Sequence, residues 1–591
     1  MDASTRMHME KTNKHNKESA TAVTLIICFL LLLGVDLRAL TLNNALSFDE
    51  FVQTRAVIEA NPQGLDKYTE MNPLTTWTRI FATDILGVHV WSLRLVSLIF
   101  SLLTLLGTYL LAKEIYDQKA ALFAAAILAL SSWHALVSTS ISFDGAFLTF
   151  YTLLTIYCFM RYEHASLENA AQKNIWLVLC GIAFGLTVLT KYTGVLIFPA
   201  LLIYSFIAQG GPWSARKDVK EIIVPFLIIG AISLVVFSAF PIAVLFSGDL
   251  SYFSVTIHHG DTYFGGRSIS IILLAVQYAL AALWAGPLLI IGYLLSVIYV
   301  MRVRKKRVNG AAKREELLFH IFIIIVLCFY TFIVQDPFRP AERYFTVLLP
   351  LLCVIIGNFL ARVALTRKEW AMAAAGTFIM LIVDFALNVQ PGALLPFYPK
   401  SNFINALAEF HWNFFIPFTG DQGPVGLYVH VLVYIIAFAA AAICCAMWLV
   451  RKNKMALSIF IAVSLALNVF VMTELALHVT SPDIGRVAEQ AAQYIRQESL
   501  PGPYYTFRDP ALQYSLGQSA TNIDFDADPS ATKAVLTRGG TLLLIDFPLL
   551  DHQGDLWNAF SETCTLKKQW SDKGHVIGYV FSCPKPEAQA R

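Results

Sequence analysis

Apolar stretches of the length a bilayer core requires, about 20 residues, follow one another with little polar relief from residue 20 to residue 477. They run over residues 20–41, 93–112, 120–141, 146–162, 175–190, 194–209, 221–247, 270–300, 316–335, 344–361, 370–389, 428–450 and 455–477. The pattern predicts a polytopic α-helical membrane protein of about 13 transmembrane helices. After residue 478 the period changes. Ile484 to Gln497 carries apolar residues at helical spacing, while Tyr504-Tyr505-Thr506-Phe507, Thr541-Leu542-Leu543-Leu544-Ile545 and Val576-Ile577-Gly578-Tyr579-Val580-Phe581 read as strands between polar, turn-rich joins. Three parts follow: a segment 1–19, a membrane domain 20–478 and a small α/β domain 479–591. No internal repeat at a fixed period is visible, so the inverted-repeat plan of many transporters has no support in the sequence.

Composition agrees with the pattern. With 57% hydrophobic residues and a mean hydropathy of +0.59, an ordinary soluble surface is excluded. The net charge of +3 says little, because basic residues in such proteins are sorted by side. With the N-terminus inside, beginning with Arg6, Lys11, Lys14 and Lys17, the inside segments hold more than half of the 44 Lys and Arg. The run Met301-Arg302-Val303-Arg304-Lys305-Lys306-Arg307 then reads as a positive-inside anchor rather than a nucleic-acid patch. An odd number of spans puts the C-terminus, and the α/β domain with it, outside. Cys28, Cys158, Cys180, Cys328, Cys353, Cys444 and Cys445 fall within spans as small apolar residues, leaving Cys564 and Cys583 to close a disulfide in the external domain.

Against this background charged residues at the outer ends of spans stand out, since a carboxylate beside lipid is costly unless it faces a wet cavity. Asp49-Glu50 follows the first span in the outside segment 42–92; Tyr68-Thr69-Glu70-Met71-Asn72-Pro73-Leu74 comes later in the same segment, and Ser142-Phe143-Asp144-Gly145 ends the third span. The other large outside segments are 248–269, 335–343 and 390–427, and all four should meet over one outer face. The order of these motifs resembles the class C glycosyltransferases (GT-C type) that use polyprenyl-phosphate sugars, most closely the branch of protein O-mannosyltransferases and lipid A aminoarabinose transferases. Leu189-Thr190-Lys191-Tyr192-Thr193-Gly194, Arg343-Tyr344 and Pro350 add to the resemblance, which covers nearly the whole chain.

The resemblance implies an inverting transfer of one sugar from an undecaprenyl-phosphate type donor to an acceptor on the outer face of a bacterial cytoplasmic membrane. The acceptor would be an envelope glycolipid, a polysaccharide or a protein, and no nucleic acid is involved. Such chemistry needs a base for the acceptor hydroxyl and donors for the departing phosphate. Asp49 is the expected base, with an N-cap of the segment 51–60 as its plain alternative. Glu50 would position it, and Asp144, otherwise a turn residue, would face Asp49 across the cavity. Lys191, Arg267, Arg339, Arg343, Tyr344 and Lys67 are the candidates for the phosphate, against simple interfacial snorkelling. Glu70 with His258 or His259 could hold a divalent cation or form a loop hydrogen bond. Met71-Asn72 departs from the aminoarabinose branch, where a basic residue followed by proline is expected, and the donor sugar is left open. Phe410-His411-Trp412-Asn413-Phe414-Phe415 reads either as an interfacial helix over a lipid access or as an aromatic belt. The rival from another class is a transporter or flippase of a lipid-linked glycan.

Overall fold

The computed structural model describes residues 25, 28–29, 31–47, 50, 53–54, 57, 73–165, 169–208, 219–247, 271–304, 314–333, 342–363, 365–389, 394–397, 400–418, 425–507, 509, 512, 516, 520–523, 529–547 and 549–584. They fall into two compact units. The first comprises Met1–Ala39, Ala56–Thr377 and Ala440–Asn468; the second comprises Leu40–Arg55, Phe378–Ala439 and Val469–Arg591.

The helices of the membrane part are α1 (31–40), α2 (Pro73–Leu86), α3 (Val90–Ile115), α4 (Gln118–Ala129), α5 (Ser132–Thr139), α6 (Thr149–His164), α7 (Ala170–Thr190), α8 (Ile197–Ala208), α9 (Val219–Ser247), α10 (Ile271–Arg304), α11 (Glu315–Phe332), α12 (Leu349–Val363), α13 (Arg367–Asn388), α14 (Lys400–Ala408), and, beyond a short hairpin, α15 (Val431–Arg451) and α16 (Lys454–Leu477). Each of the thirteen expected stretches has a helical core where it is described. Among the described residues nine helices are long and apolar enough to cross a membrane, or ten when a bent pair counts as one span. Part of the shortfall has a physical form: the stretches before α6 and α8 open as a π-helix (Phe143–Leu148) and a 3-10 helix (Tyr192–Leu196), which shortens the α-helix that follows.

In the first unit, α3 shows how the bundle closes. Its enclosed face includes Ser97, Ser101, Thr104 and Thr108 at helical spacing. Small side chains let helices approach in a medium that supplies no hydrophobic drive between them. Their hydroxyls are satisfied nearby: Thr104 Oγ1 donates to Phe100 O (2.8 Å), Thr108 Oγ1 to Thr104 O (2.7 Å) and Ser101 Oγ to Ser138 Oγ (3.0 Å). The alanine-rich α4 uses the same strategy, and α12 approaches it so closely that a Cβ on Gly357 would lie 2.7 Å from Ala120 O.

The expected span 120–141 is not continuous, for α4 and α5 meet at 65°. Ser131 caps α5 by accepting from His134 N (3.3 Å). The break frees carbonyls of α4, and the fully buried Arg38 takes them: its guanidinium donates to Leu128 O (3.0 Å), to Ala129 O and to Gly34 O (2.8 Å), and stands 3.0 Å from His134 Nδ1. On the other side Ser132 N and Oγ both donate to Asn468 Oδ1 (3.0 and 3.1 Å). A buried carbonyl stripped of such a donor costs about 1–3 kcal/mol, so these two side chains hold the bend.

The second unit contains a five-stranded sheet of β3 (Tyr504–Phe507), β4 (Ala520–Ile523), β5 (Gly540–Ile545), β6 (Thr565–Asp572) and β7 (His575–Cys583), in the order β4-β3-β5-β7-β6. β3 is parallel to β4 and β5, while β7 is antiparallel to β5 and β6. Alternation along the strands builds two cores. Leu543, Ile545, Ile577 and Val580 pack on α17 (Ile484–Gln497), whose buried stripe is Ile484, Val487, Ala488, Ala491, Ala492 and Ile495. Leu542, Leu544, Tyr579 and Phe581 point to the other face, with Phe560 of α19 (Asp555–Thr563) and Val535 of α18 (Pro529–Arg538). Cys564 and Cys583 are joined, with Cα atoms 4.2 Å apart and a sequence separation of 19. Closing such a loop is worth about 3 kcal/mol.

The interfacial helix considered for residues 410–415 is not formed. Phe410 adopts a left-handed φ of 63° just after α14, and Phe415–Phe418 (β1) pairs antiparallel with Leu427–His430 (β2). Polar groups of this unit join the ends of its helices: Glu474 accepts from Thr480 N (2.9 Å), Thr480 Oγ1 (2.6 Å) and Ser481 N (2.9 Å), and Asn388 Oδ1 accepts from His430 N (2.9 Å).

Candidate active site

Asp49, Lys67, Glu70, His258, His259, Arg267 and Arg339 lie outside the described residues. Glu50 belongs to the second unit. It is buried, and its Oε2 accepts from Ser47 N and Ser47 Oγ (both 3.0 Å), while its carbonyl accepts from Thr54 Oγ1 (2.8 Å). That arrangement ties the Glu50 side chain to Ser47.

The first unit holds Asp144, Lys191, Arg343 and Tyr344, each on backbone that leaves α-helical geometry. Asp144 is in the π-helix Phe143–Leu148, a form that favours functional positions. Gly145 presses this turn against α5, where a Cβ would meet Val137 O at 2.0 Å, so only glycine fits. Lys191 ends α7 with extended backbone, its N–H donating to Thr187 O (3.2 Å), and the 3-10 helix Tyr192–Leu196 follows. Its ammonium therefore stands at a helix C-terminus, which favours positive charge. The approach of α2 fixes this corner: Pro73 occupies the helix start, where its missing N–H costs nothing, and Leu74 and Trp77 pack on Leu189 and Phe240, Trp77 meeting Phe240 edge-on at 5.2 Å.

Arg343 and Tyr344 lie in the 3-10 helix Glu342–Leu348, which packs against the π-helix Phe143–Leu148 as well as α5, α6, α10 and α12. Tyr344 is buried and stacked on Tyr330, with centroids 5.1 Å apart and planes 7° from parallel. Lys191 Nζ stands 4.2 Å from the Tyr344 centroid and Arg343 Cζ 5.4 Å from it. Each such contact contributes about 0.5–2 kcal/mol. Candidates from two stretches far apart in sequence, Lys191 and the adjacent Arg343-Tyr344, thus form one cluster: a phenol ring contacted by an ammonium and a guanidinium, on a segment packed against the π-helix that includes Asp144.

A residue the sequence reading passed over sits in the same place. Arg79 of α2 is buried; its Nη2 donates to Ser142 O (3.1 Å) and Ser97 Oγ (3.3 Å), and its Cζ lies 5.4 Å from the Phe147 ring centroid. Its signal was a charge set among Trp77, Ile80 and Phe81, obscured because the stretch 42–92 read as an outside segment between two spans. Among the described residues no group of three or more His, Cys, Asp or Glu could hold a metal ion.

Residues 70–242 match the family model described as dolichyl-phosphate-mannose-protein mannosyltransferase. A stretch of 127 residues, 21% of the chain, is 31% identical to Protein O-mannosyl-transferase 1 of Danio rerio, and spans 17% of that relative. The structure of ArnT from Cupriavidus metallidurans bound to undecaprenyl phosphate is similar with a TM-score of 0.55 at 16% identity, over 95% of this chain and 98% of that one. The apo structure of the same protein gives 0.52 over the same shares. The fold is that of the class C glycosyltransferases: a helical membrane bundle with a small C-terminal sheet domain. The fold is shared over nearly the whole chain, and the family match is confined to residues 70–242.

Proposed function

We propose that the chain moves one sugar from a polyprenyl-phosphate carrier to an acceptor on the outer face of a bacterial cytoplasmic membrane, with inversion at the anomeric carbon. The observation that carries this reading is the pairing of Lys191 and Arg343 over Tyr344, beside the turn of Asp144. In the reaction the acceptor oxygen attacks the anomeric carbon and its proton passes to the Asp49 carboxylate. The bond from that carbon to the phosphate oxygen breaks, its electron pair leaves with the phosphate, and Lys191 and Arg343 meet the added charge, as preorganised donors do in a site that excludes water. Arg267, Arg339 and Lys67 are assigned to the same phosphate, Glu50 to holding Asp49 in place, and Glu70 with His258 or His259 to a divalent cation.

The preferred acceptor is an envelope glycolipid or polysaccharide. A protein acceptor is the second reading, favoured by the mannosyltransferase match over residues 70–242. Purified protein reconstituted with radiolabelled undecaprenyl-phosphate sugars tests both: transfer to glycolipid or to peptide separates them, and release of no polyprenyl phosphate with any acceptor would defeat the proposal.

A further inference from the structure

Asp144 lies in the first turn of the π-helix, where regular α-helical geometry has not yet begun. Ser142 N donates to Ser140 O (2.8 Å), a local bond outside any helical ladder, and the π-helix begins only at Phe143. The two flanks of this turn are held by one side chain. Arg79, 1% exposed, donates to the carbonyl of Ser142 on one flank and covers the ring of Phe147 on the other, while Ser97 Oγ of α3 accepts a further bond from the same Nη2. A planar guanidinium can donate sideways and stack at once, which an ammonium cannot. Burying it is costly, and a neutral residue would fill α2 at lower cost were packing the only need.

We infer that Arg79 is a positioning residue for the Asp144 turn, fixing its backbone and placing a positive charge beside it; this rests on the role given to Asp144 above. The test uses the full-length protein in lipid nanodiscs, comparing Arg79→Lys and Arg79→Gln with wild type by hydrogen–deuterium exchange and by transfer from a polyprenyl-phosphate sugar. Exchange in residues 140–148 is expected to rise about tenfold or more, as local opening becomes easier, while the rest of the bundle is unchanged. Turnover is expected to fall about 10- to 100-fold, the usual cost of a small misplacement, with the donor KM within about threefold of wild type. Unchanged exchange in residues 140–148 overturns the inference. A loss borne entirely by KM also overturns it and makes Arg79 a phosphate contact. Should the Gln variant not fold, the Lys variant, which keeps bulk and charge, and Ser97→Ala, which removes one anchor, carry the exchange measurement. If the wild type transfers no polyprenyl-linked sugar, the proposed function falls, and the exchange result still decides whether Arg79 holds the turn.

Discussion

In the C-terminal sheet the central strands β5 and β7 keep an unbroken register from Gly540↔Cys583 to Ile545↔Gly578, and their side chains alternate between two apolar cores. In the bundle, the stretches that bear Asp144, Lys191 and Arg343 with Tyr344 are a π-helix, the end of α7 running into a 3-10 helix, and a second 3-10 helix. The sheet is held by its own ladder. The bundle turns are held by side chains from elsewhere in the sequence: Arg38 and Asn468 at the α4–α5 bend, Arg79 at the Asp144 turn, and Tyr344 beneath Lys191. Regular backbone satisfies its own polar groups and leaves little for a ligand; irregular backbone must be satisfied by side chains, and such places can be shaped to a ligand. Damage should therefore separate cleanly, with chemistry lost from the bundle turns and stability lost from the sheet.

The largest effect is expected from Asp49→Asn and Asp144→Asn, each lowering transfer at least about 100-fold, as removal of a general base or its partner does. Thermal unfolding of both variants should match wild type, and Glu50→Gln should be milder. Turnover near wild type for Asp49→Asn would remove the base assigned here.

Next come Lys191→Met and Arg343→Met. Each removes a charge-assisted contact worth about 1.5–3 kcal/mol, so titration with undecaprenyl phosphate should show affinity weakened roughly 10- to 100-fold. Tyr344→Phe keeps the ring that both cations contact and should cost less than Tyr344→Ala. Equal losses for the two tyrosine variants would mean that the hydroxyl, and not the ring, matters.

Replacing both Cys564 and Cys583 by Ser tests the sheet. Resistance of the C-terminal region to protease should fall by an amount consistent with about 3 kcal/mol, with undecaprenyl phosphate binding unchanged. Lost binding in a protein whose sheet still resists protease would break the separation drawn above.

The smallest effect concerns pH. The Asp546 carboxylate, hydrogen-bonded to His552, raises that imidazole above its usual value despite partial burial. The stability contributed by the pair is fully present below about pH 6.5, the unfolded value, and drains away as pH rises through the higher folded value. His575, packed against Phe547 and held down by burial, acts in the opposite direction, as a group that resists protonation in the folded state. The measurement is therefore a difference: between pH 6 and 9, wild type should lose stability relative to His552→Gln, and parallel profiles would show that the pair contributes nothing.

Much of this molecule was legible in the order of its residues. The apolar stretches declared a helical membrane bundle, and Ile484 to Gln497 was recognisable as an amphipathic helix because a helix against a sheet needs one apolar stripe, which repeats at the helical period. The strands at Tyr504–Phe507 and Gly540–Ile545 were readable for the same kind of reason, the first as an aromatic run and the second as a short apolar run next to glycine. Lys191, Arg343 and Tyr344 could be named because charge and phenol at the ends of apolar spans are conspicuous. The aromatic run 410–415 misled, since it is apolar enough for an interfacial helix yet turns at Phe410 and goes on as a strand paired with Leu427–His430.

By itself, then, the sequence determined the class of architecture and which side chains had chemistry to offer, because hydrophobic periodicity and isolated charge are local properties. Only the tertiary structure decided that Lys191 and Arg343 meet over one ring, that the third span bends by 65°, and that Arg38 and Arg79 are buried rather than solvated. A charge in a sequence looks the same whether water or a distant carbonyl satisfies it. Arg38 finds Leu128 O 90 residues away, and Arg79 finds Ser142 O at a separation of 63. No local pattern encodes such pairings, because they come into being only when the folded backbone leaves those carbonyls without a partner of their own.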